Sequence, residues 1–395
     1  MEESISNSFK LNFQSWKIFG IWPGKLPSRY YKYYSFLVLF PFLIVYNALL
    51  TVNLFYTPLQ VNLIIEELMF YFNEISIMTK VGTIIFYRKK ILNICDVLDG
   101  DFFKGNDKIG RRIVANDARI YKILWKVNVV ICYICFFFGP ILSGLLHLLS
   151  LNKENNLPIS KYHLLSTETR ECYFGYLFVY QVIGVYTQMM YNITIDSFLA
   201  GLLFYAITQM KILSHELRSL QWKKDNAENS QEREKIDKLN YCLRHYECVL
   251  KYCAGVQDIF SLVLFVQIGT SSVTICSVLC DLLLVCIDSV FMLLTKFYQS
   301  TQFSSCMILQ IFLPTFLGAL LIKESEQLIF AAYESEWLSR SRSYKSSLGL
   351  FMQRANKPVV ITGMKLFRLN LETFVVIMKT AYSFITLVRS FQERN

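Results

Sequence analysis

The segment 371-LETFVVIMKTAYSFITLVRS-390 is apolar enough to cross a membrane, and its polar residues recur at helical spacing. With about 100° of rotation per residue, one narrow stripe of the helix carries Glu372, Val376, Lys379, Ser383, Thr386 and Ser390. The opposite side is apolar. A lysine near the bilayer centre costs roughly 2.5 to 3.5 kcal/mol on insertion scales. The stripe therefore predicts a pore helix that faces water at an axis shared by several subunits.

The same stripe has a second interpretation. Ser and Thr in membrane helices often hydrogen-bond to neighbouring helices of their own bundle, which would satisfy Ser383 and Thr386 without a pore. Lys379 also argues against simple cation selectivity, since rings of positive charge favour anions. A carboxylate such as Glu372 of a neighbouring subunit could neutralise it. Periodicity alone leaves both interpretations open.

The rest of the chain is equally rich in apolar segments. With a window of about 19 residues, the sequence predicts seven spans, near 36–56, 61–87, 127–149, 172–210, 258–287, 297–322 and 366–388. Hydrophobic residues make up 54% of the chain and aromatic residues 15%, so lipid is the main solvent for this fold. We therefore expect an all-α membrane protein with seven transmembrane helices.

The cations are distributed unevenly among the loops. Of 40 lysines and arginines, 32 lie in four segments, with five in 1–35, ten in 88–126, nine in 211–257 and eight in 323–368. Basic loops stay in the cytoplasm, so the N-terminus is predicted inside and the C-terminus outside. The net charge of +10 is explained by anionic lipid of the inner leaflet, and nucleic acid is not expected as a partner.

Two segments of the chain carry further structural signals. Glu66, Glu67, Glu74 and Lys80 give the second span too many charges for contact with lipid, so it should face the bundle interior. The fourth span should continue as a helix through 211–224, before a charged, turn-rich stretch at 225–238. The first 35 residues are predicted to lie as an amphipathic segment at the membrane interface.

No enzymatic or metal-binding pattern accompanies these spans. The sequence has no paired carboxylates, nucleophile motif or phosphate-binding loop, so neither an enzyme nor a cofactor is expected. Most of the eleven cysteines lie in apolar runs, where free Cys behaves as a small hydrophobe. We expect no disulfide framework and no metal site. The only glycosylation sequon, at Asn192, is inside the fourth span and should be inert.

Residues 331–390 closely resemble the C-terminal signature of insect odorant receptors. The matching pieces are the pair Tyr333 and Trp337, Arg354–Pro358, Thr362–Gly363, Leu371–Phe374 and Lys379–Phe384. The resemblance implies a ligand-gated, non-selective cation channel, assembled as a tetramer with a shared co-receptor in the plasma membrane of olfactory dendrites. The short loop at 211–257 differs from the long insertion of the co-receptor, so this chain is similar to the odorant-tuning subunits.

The resemblance also implies where function lies along the chain. Residues 1–322 would form the transmembrane ligand-binding bundle, 323–365 a cytoplasmic anchor, and 366–395 the pore-lining helix with a short outer tail. A narrow gate would sit at about Leu387. A small volatile odorant would bind in the outer half of the bundle, among Tyr71, Phe72, Phe136, Phe137, Tyr180, Gln181, Tyr186, Tyr298, Phe303 and Met307.

Two other functions compete with this interpretation. A gustatory-type receptor channel would share the topology, but such receptors typically end in the motif TYhhhhhQF, where h is apolar, and 381-AYSFITLVRSF-391 does not match it. A G-protein-coupled receptor would place the basic loops of a seven-span chain outside, against the charge distribution. Each aromatic residue of the proposed cavity could also be ordinary core packing.

Overall fold

The structure is a computed structural model that describes residues 5–24, 29–142, 144, 157, 159–220, 228–284, 290–335 and 337–392. Within these ranges it is almost entirely helical, which confirms the predicted fold class. In chain order the α-helices are α1 (Lys10–Ile18), α2 (Arg29–Leu39), α3 (Tyr46–Tyr56), α4 (Val61–Phe86), α5 (Arg88–Leu98), α6 (Lys108–Phe136), α7 (Thr167–Cys172), α8 (Phe174–Ser219), α9 (Glu228–Leu284), α10 (Val290–Tyr333), α11 (Arg342–Ala355) and α12 (Leu371–Gln392).

Six stretches of the described residues are long and apolar enough to cross a membrane. They are Arg29–Tyr56, Lys108–Ile141, Phe174–Ser219, Arg233–Asp281, Ser300–Tyr333 and Leu371–Ser390. The predicted second span corresponds to α4, whose 26 residues extend about 39 Å. This helix is long enough to cross a bilayer, but Glu66, Glu67, Glu74 and Lys80 lower its hydropathy.

Helix α8 occupies the centre of the bundle. Its apolar residues are distributed around the whole helix, as expected for an enclosed helix, and it packs against α4, α6, α9 and α10. Gly201 allows a close approach, because a Cβ there would meet Phe9 at 2.5 Å and Tyr121 at 2.7 Å. The first residues of the chain therefore share one core with the central helix.

The N-terminal segment differs from the sequence-based expectation. Trp16 is fully buried and its indole donates to Thr194 Oγ1 at 3.1 Å. Asn12 donates to Ser197 Oγ at 2.9 Å and to the Thr194 carbonyl at 2.7 Å. The face of α1 that carries Trp16 is therefore covered by α8, whereas Leu11 and Ile18 remain exposed.

Two further helices are longer than predicted. Helix α9 begins at Glu228 and continues without a break to Leu284, so 228–238 is helical and the expected turn-rich stretch is wrong there. Helix α10 continues to Tyr333, eleven residues beyond the predicted end of the sixth span at 322. Both helices thus continue past their apolar stretches into charged segments of the chain.

Short elements connect these long helices to the last one. Phe351 of α11 packs edge-on against Tyr246 of α9, with ring centroids 5.1 Å apart. After α11, β1 (Thr362–Gly363) pairs antiparallel with β2 (Phe367–Arg368). Gln257 of α9 accepts from Thr362 N at 2.7 Å and donates to its carbonyl at 2.7 Å. This hairpin fixes the point at which α12 begins.

Candidate ligand cavity and pore helix

An aromatic cluster joins α6 to α8 in the half of the bundle predicted to be extracellular. The hydroxyls of Tyr133 and Tyr186 are 2.9 Å apart, and the rings of Phe136 and Tyr186 are 5.4 Å apart. Tyr133 also approaches Met190 Sδ at 3.9 Å. Two of these residues, Phe136 and Tyr186, belong to the predicted odorant set, whereas Tyr133 was not identified from the sequence.

Helix α10 forms the facing wall. Phe303 packs against Phe70 of α4 with centroids 5.7 Å apart, and Met307 is buried one turn further along α10. Between them on α10, Cys306 Sγ lies 3.6 Å from Cys135 Sγ of α6. Four spans therefore contribute side chains to this region, which we call the outer aromatic cluster: Phe70, Tyr133, Phe136, Tyr186, Phe303 and Met307.

Two predicted ligand residues lie elsewhere. Tyr180 donates to the Pro41 carbonyl at 2.8 Å and packs beside Tyr46, so it faces the first span. Gln181 is fully buried, donating to the Ser160 carbonyl at 2.8 Å and accepting from Ile159 N at 3.1 Å. Both side chains hold other parts of the chain in place.

The remaining predicted residues lie near the surface of the chain. Tyr71 and Phe72 are half-buried and pack against each other at 5.9 Å. Phe137 and Tyr298 are exposed. Phe138 connects these two, since it packs edge-on against both rings. These four residues border the outer aromatic cluster instead of forming its centre.

Below the cluster, a polar bridge of Lys80, Asn192, Asp196 and Gln310 joins α4, α8 and α10. Lys80 is fully buried; its Nζ is 2.7 Å from Asp196 Oδ1 and donates to Asn192. Gln310 Nε2 donates to Asn192 Oδ1 at 3.0 Å. The charges of α4 were predicted to face the bundle interior, and Lys80 does so. Its partners could not be identified from the sequence.

The described residues of the loop just before α7 contact the first and second spans. Glu67 accepts from Asn53 Nδ2 at 3.0 Å and from Ser160 Oγ at 2.8 Å, which connects the first span, the second span and the loop. In the same loop, burial together with Arg170 and Lys161 lowers the pKa of His163. The histidine is therefore neutral at neutral pH.

The last helix packs by its apolar side only. Ala381 is buried, and Phe374, Ile377 and Met378 are half-buried against the core formed with α9 and α10. The predicted pore and gate residues are all exposed on the isolated chain: Glu372, Val376, Lys379, Ser383, Thr386, Leu387 and Ser390. A groove of about 420 Å³ runs along one side of the helix, beside Lys379 and Tyr382.

The polar groups of this stripe are only partly satisfied by their own helix. The hydroxyls of Ser383, Thr386 and Ser390 donate to backbone carbonyls three or four residues earlier. Such bonds use the hydroxyl proton and leave both lone pairs of each hydroxyl oxygen available to accept. Among the described residues, no group of three or more His, Cys, Asp or Glu side chains converges as metal ligands.

The arrangement defines a helical membrane protein with an aromatic cluster inside the bundle and an uncovered polar stripe on its last helix. The sequence profile of the family described as "7tm Odorant receptor" matches residues 60–382. This match covers most of the chain, so the chain belongs to the odorant receptor family.

Individual relatives agree with this assignment. Odorant receptor 94a of Drosophila melanogaster is 23% identical over 96% of both chains. Odorant receptor Or1 of Anopheles gambiae is 24% identical over 61% of this chain and 62% of its own. The alignment with odorant receptor 22b of Drosophila melanogaster, at 23% identity, spans 46% of this chain and 43% of that receptor.

The fold is also that of a solved insect receptor. The olfactory receptor OR5 of Machilis hrabei, in complex with eugenol, superposes with a TM-score of 0.82 over 98% of both chains, at 15% identity. The same receptor in a structure whose title names no ligand gives a TM-score of 0.81 over 97% of this chain. The family resemblance of the C-terminal residues and the predicted helical membrane fold are therefore both confirmed.

Proposed function

We propose that the chain is an odorant-binding subunit of a ligand-gated, non-selective cation channel. The observation that carries this proposal is the uncovered polar stripe of α12. An exposed Lys379 on a membrane helix is costly in lipid, so the stripe is best accommodated around a water-filled axis. Packing of the opposite side against α9 and α10 supports this orientation of the helix.

The proposed orientation places the N-terminus in the cytoplasm and the C-terminus outside the cell. In support, the basic segments 88–126 and 323–368 then both face the cytoplasm. Residues 323–365 would anchor neighbouring subunits, and 366–395 would form the pore helix and outer tail. The chain would act in the plasma membrane of olfactory neurons, in a heteromeric tetramer with the co-receptor.

The proposed ligand is a small, mainly apolar volatile with one polar group. The outer aromatic cluster supports this class, because ring burial supplies most of the affinity and one hydrogen bond orients the ligand. Tyr133 and Tyr186 offer that hydrogen bond. Eugenol, bound by the OR5 receptor, is a ligand of this kind. The exposed neighbours Phe137 and Tyr298 would then line the route of entry.

The channel proposal is tested by expressing the chain in oocytes with and without the co-receptor and applying an odorant panel. We expect a ligand-evoked inward current only when both subunits are present. A slow response that is mediated by a second messenger and does not require the co-receptor would contradict the channel mechanism. A C-terminal tag should be accessible in cells that have not been permeabilised.

The gate is tested by Leu387→Ser. Because a polar side chain at a narrow constriction favours wetting, we expect increased basal leak or altered ion selectivity in the assembled channel. Leu366→Ser is the control, since Leu366 is also exposed to solvent but lies in the β1–β2 turn. Identical permeation by the wild type and the Leu387 variant would place the gate elsewhere.

A further inference from the structure

A cavity of about 390 Å³ lies between the N-terminal segment and α6, away from the odorant and pore regions. Four cations line it: Lys104, Arg111, Arg119 and Lys122. None of its lining residues is acidic. From this geometry we infer that the cavity binds the phosphorylated inositol headgroup of an inner-leaflet lipid. The inference rests on the cytoplasmic orientation proposed above, but not on channel activity.

The spacing along α6 places its cations on one face. Arg111 and Lys122 are eleven residues apart, about three whole turns of a helix, and Arg119 lies one turn before Lys122 within about 80° of the same line. Ala115 and Ala118 lie between them and also line the cavity. These small side chains leave room for a bulky headgroup between the long basic ones. A continuous row of large residues would have filled the same space.

The fourth cation is brought to this face by a tight turn. Gly105 has a φ of 81°, and a Cβ there would lie 2.7 Å from Arg111 N. The turn therefore holds the neighbouring Lys104 beside the start of α6. Lys104 contacts Asp101 at 3.1 Å, a carboxylate that is fully exposed. Water and a phosphate can replace such an exposed pair at little cost.

The opposite wall is rigid. Ser8 accepts a hydrogen bond from the hydroxyl of Tyr205 at 2.7 Å, and both residues line the cavity. Phe9, next to Ser8, packs against Tyr121 at 5.5 Å and against Tyr205 at 5.7 Å. The cavity is therefore built between fixed elements, and its serine hydroxyl can also donate to a phosphate oxygen.

The position relative to the membrane favours a lipid. Lys122 is five residues before the apolar run that begins near 127, a distance of about 8 Å along the helix. Ile123, Val127 and Val130 are exposed directly beyond it. Acyl chains can follow this apolar surface while the headgroup occupies the cavity. Arginine is well suited to the phosphates, because its planar fork forms two parallel hydrogen bonds.

The test is native mass spectrometry of the purified full chain in detergent, titrated with dioctanoyl phosphatidylinositol bisphosphate. Dioctanoyl phosphatidylserine and free inositol trisphosphate are titrated in parallel. We expect the bisphosphate lipid to bind at least about tenfold more tightly than phosphatidylserine, since it presents more phosphate charge. Equal binding of free inositol trisphosphate would overturn the inference that the ligand is a membrane lipid.

Two variants locate the site. Arg119→Gln with Lys122→Gln should weaken binding of the bisphosphate lipid by about 30-fold. Ala115→Glu should also weaken it, by placing a carboxylate among the cations. The matched control is Lys89→Gln with Arg112→Gln, which removes equal charge from exposed positions outside the cavity lining. Equal weakening by the control, or none by the cavity variants, would overturn the inference.

Because this assay measures binding to the chain alone, its failure is separate from that of the proposed function. If the chain does not bind the lipid but the channel conducts normally, the odorant-gated mechanism stands and only the lipid site is disproved.

Discussion

Helices α8 and α12 are both apolar enough to cross a membrane, but the rest of the chain covers them very differently. In the most apolar stretch of α8, 83% of the residues are buried, compared with 6% in α12. Helix α8 is enclosed by α4, α6, α9 and α10, whereas α12 contacts only α9 and α10 over a substantial surface. The bundle around α8 is complete within one chain.

The difference shows which helix finds its contacts within the chain and which must find them with water or other subunits. The polar groups of α8, such as Asn192 and Asp196, have partners on α4 and α10. On α12, Lys379 and Ser383 remain on the uncovered side. Such a stripe is suited to contact with water and other subunits, and the substitutions below test this contrast.

The largest effect is expected from Lys80→Met, which breaks the polar bridge beside α8. The substitution leaves Asp196 without its cation inside the bundle. Loss of one partner of a buried ion pair costs about 3 to 5 kcal/mol. Thermal unfolding of the purified chain, followed by fluorescence-detected size exclusion, should show a strongly lowered midpoint. The double variant Lys80→Met with Asp196→Leu should recover part of this loss, because no unpaired charge remains.

Lys90→Met is the matched control. Lys90 Nζ lies 3.5 Å from Asp258, and both side chains are largely exposed, so their separation costs at most about 1 kcal/mol. Equal midpoints for the Lys80 and Lys90 single variants would contradict the importance of the bridge.

A smaller effect is expected from Gly318→Ala, which separates α10 from the start of α12. A Cβ at Gly318 would meet the backbone carbonyl of Leu369 and would lie 2.6 Å from its Cβ. Overpacking of this kind costs about 1 to 3 kcal/mol. Gly269→Ala is the control, since none of the described residues outside its own stretch of helix comes within 4 Å of the added methyl group. A midpoint for Gly318→Ala equal to that of the control would show that the last helix adjusts freely.

The sequence was sufficient to predict the helical class, six of the seven spans and the exposed stripe of α12. Hydropathy and spacing are local properties, and these features depend on them directly. It was not sufficient for the N-terminal segment, because the amphipathic pattern of 10–18 does not distinguish a lipid surface from the surface of α8. Residues 228–238 were misassigned since their charge resembles a loop but is also compatible with an exposed helix.

The interior contacts were harder to predict for a related reason. An aromatic residue of α8 can face any of several neighbouring helices: Tyr180 faces the first span, whereas Tyr186 faces α6. Asn192 belongs to a glycosylation sequon, but its side chain forms part of the polar bridge. Such choices depend on helix rotation and on partners distant in the sequence. A buried polar residue within a span is the only local signal that such a partner exists.

The stripe of α12 gives a third test, with almost no expected change in stability. Lys379→Gln should change the free energy of unfolding of the isolated chain by less than about 0.5 kcal/mol, as is usual at exposed positions. Ala381→Leu, two residues away on the packed side, should cost about 1 to 3 kcal/mol. In the assembled channel, Lys379→Gln should change ion selectivity more than Ala381→Leu does. Reversal potentials of the current would measure this difference. A destabilising Lys379→Gln would mean that the stripe already has partners within the chain.

The smallest effect concerns His163, in the loop just before α7. Its pKa is lowered in the folded state from an ordinary value of about 6.5, so the unfolded chain takes up more protons as the pH falls. Stability contributed by the neutral ring is present above about pH 6.5 and is lost as the pH falls through the lower folded pKa. The side chain is only partly buried, so the loss is modest.

Unfolding midpoints between about pH 7.5 and about pH 5.5 should fall less for His163→Gln than for the wild type. Lys161→Gln removes one cation that lowers this pKa, so it should give an intermediate pH dependence; parallel curves for all three chains would show that the loop does not respond to protonation.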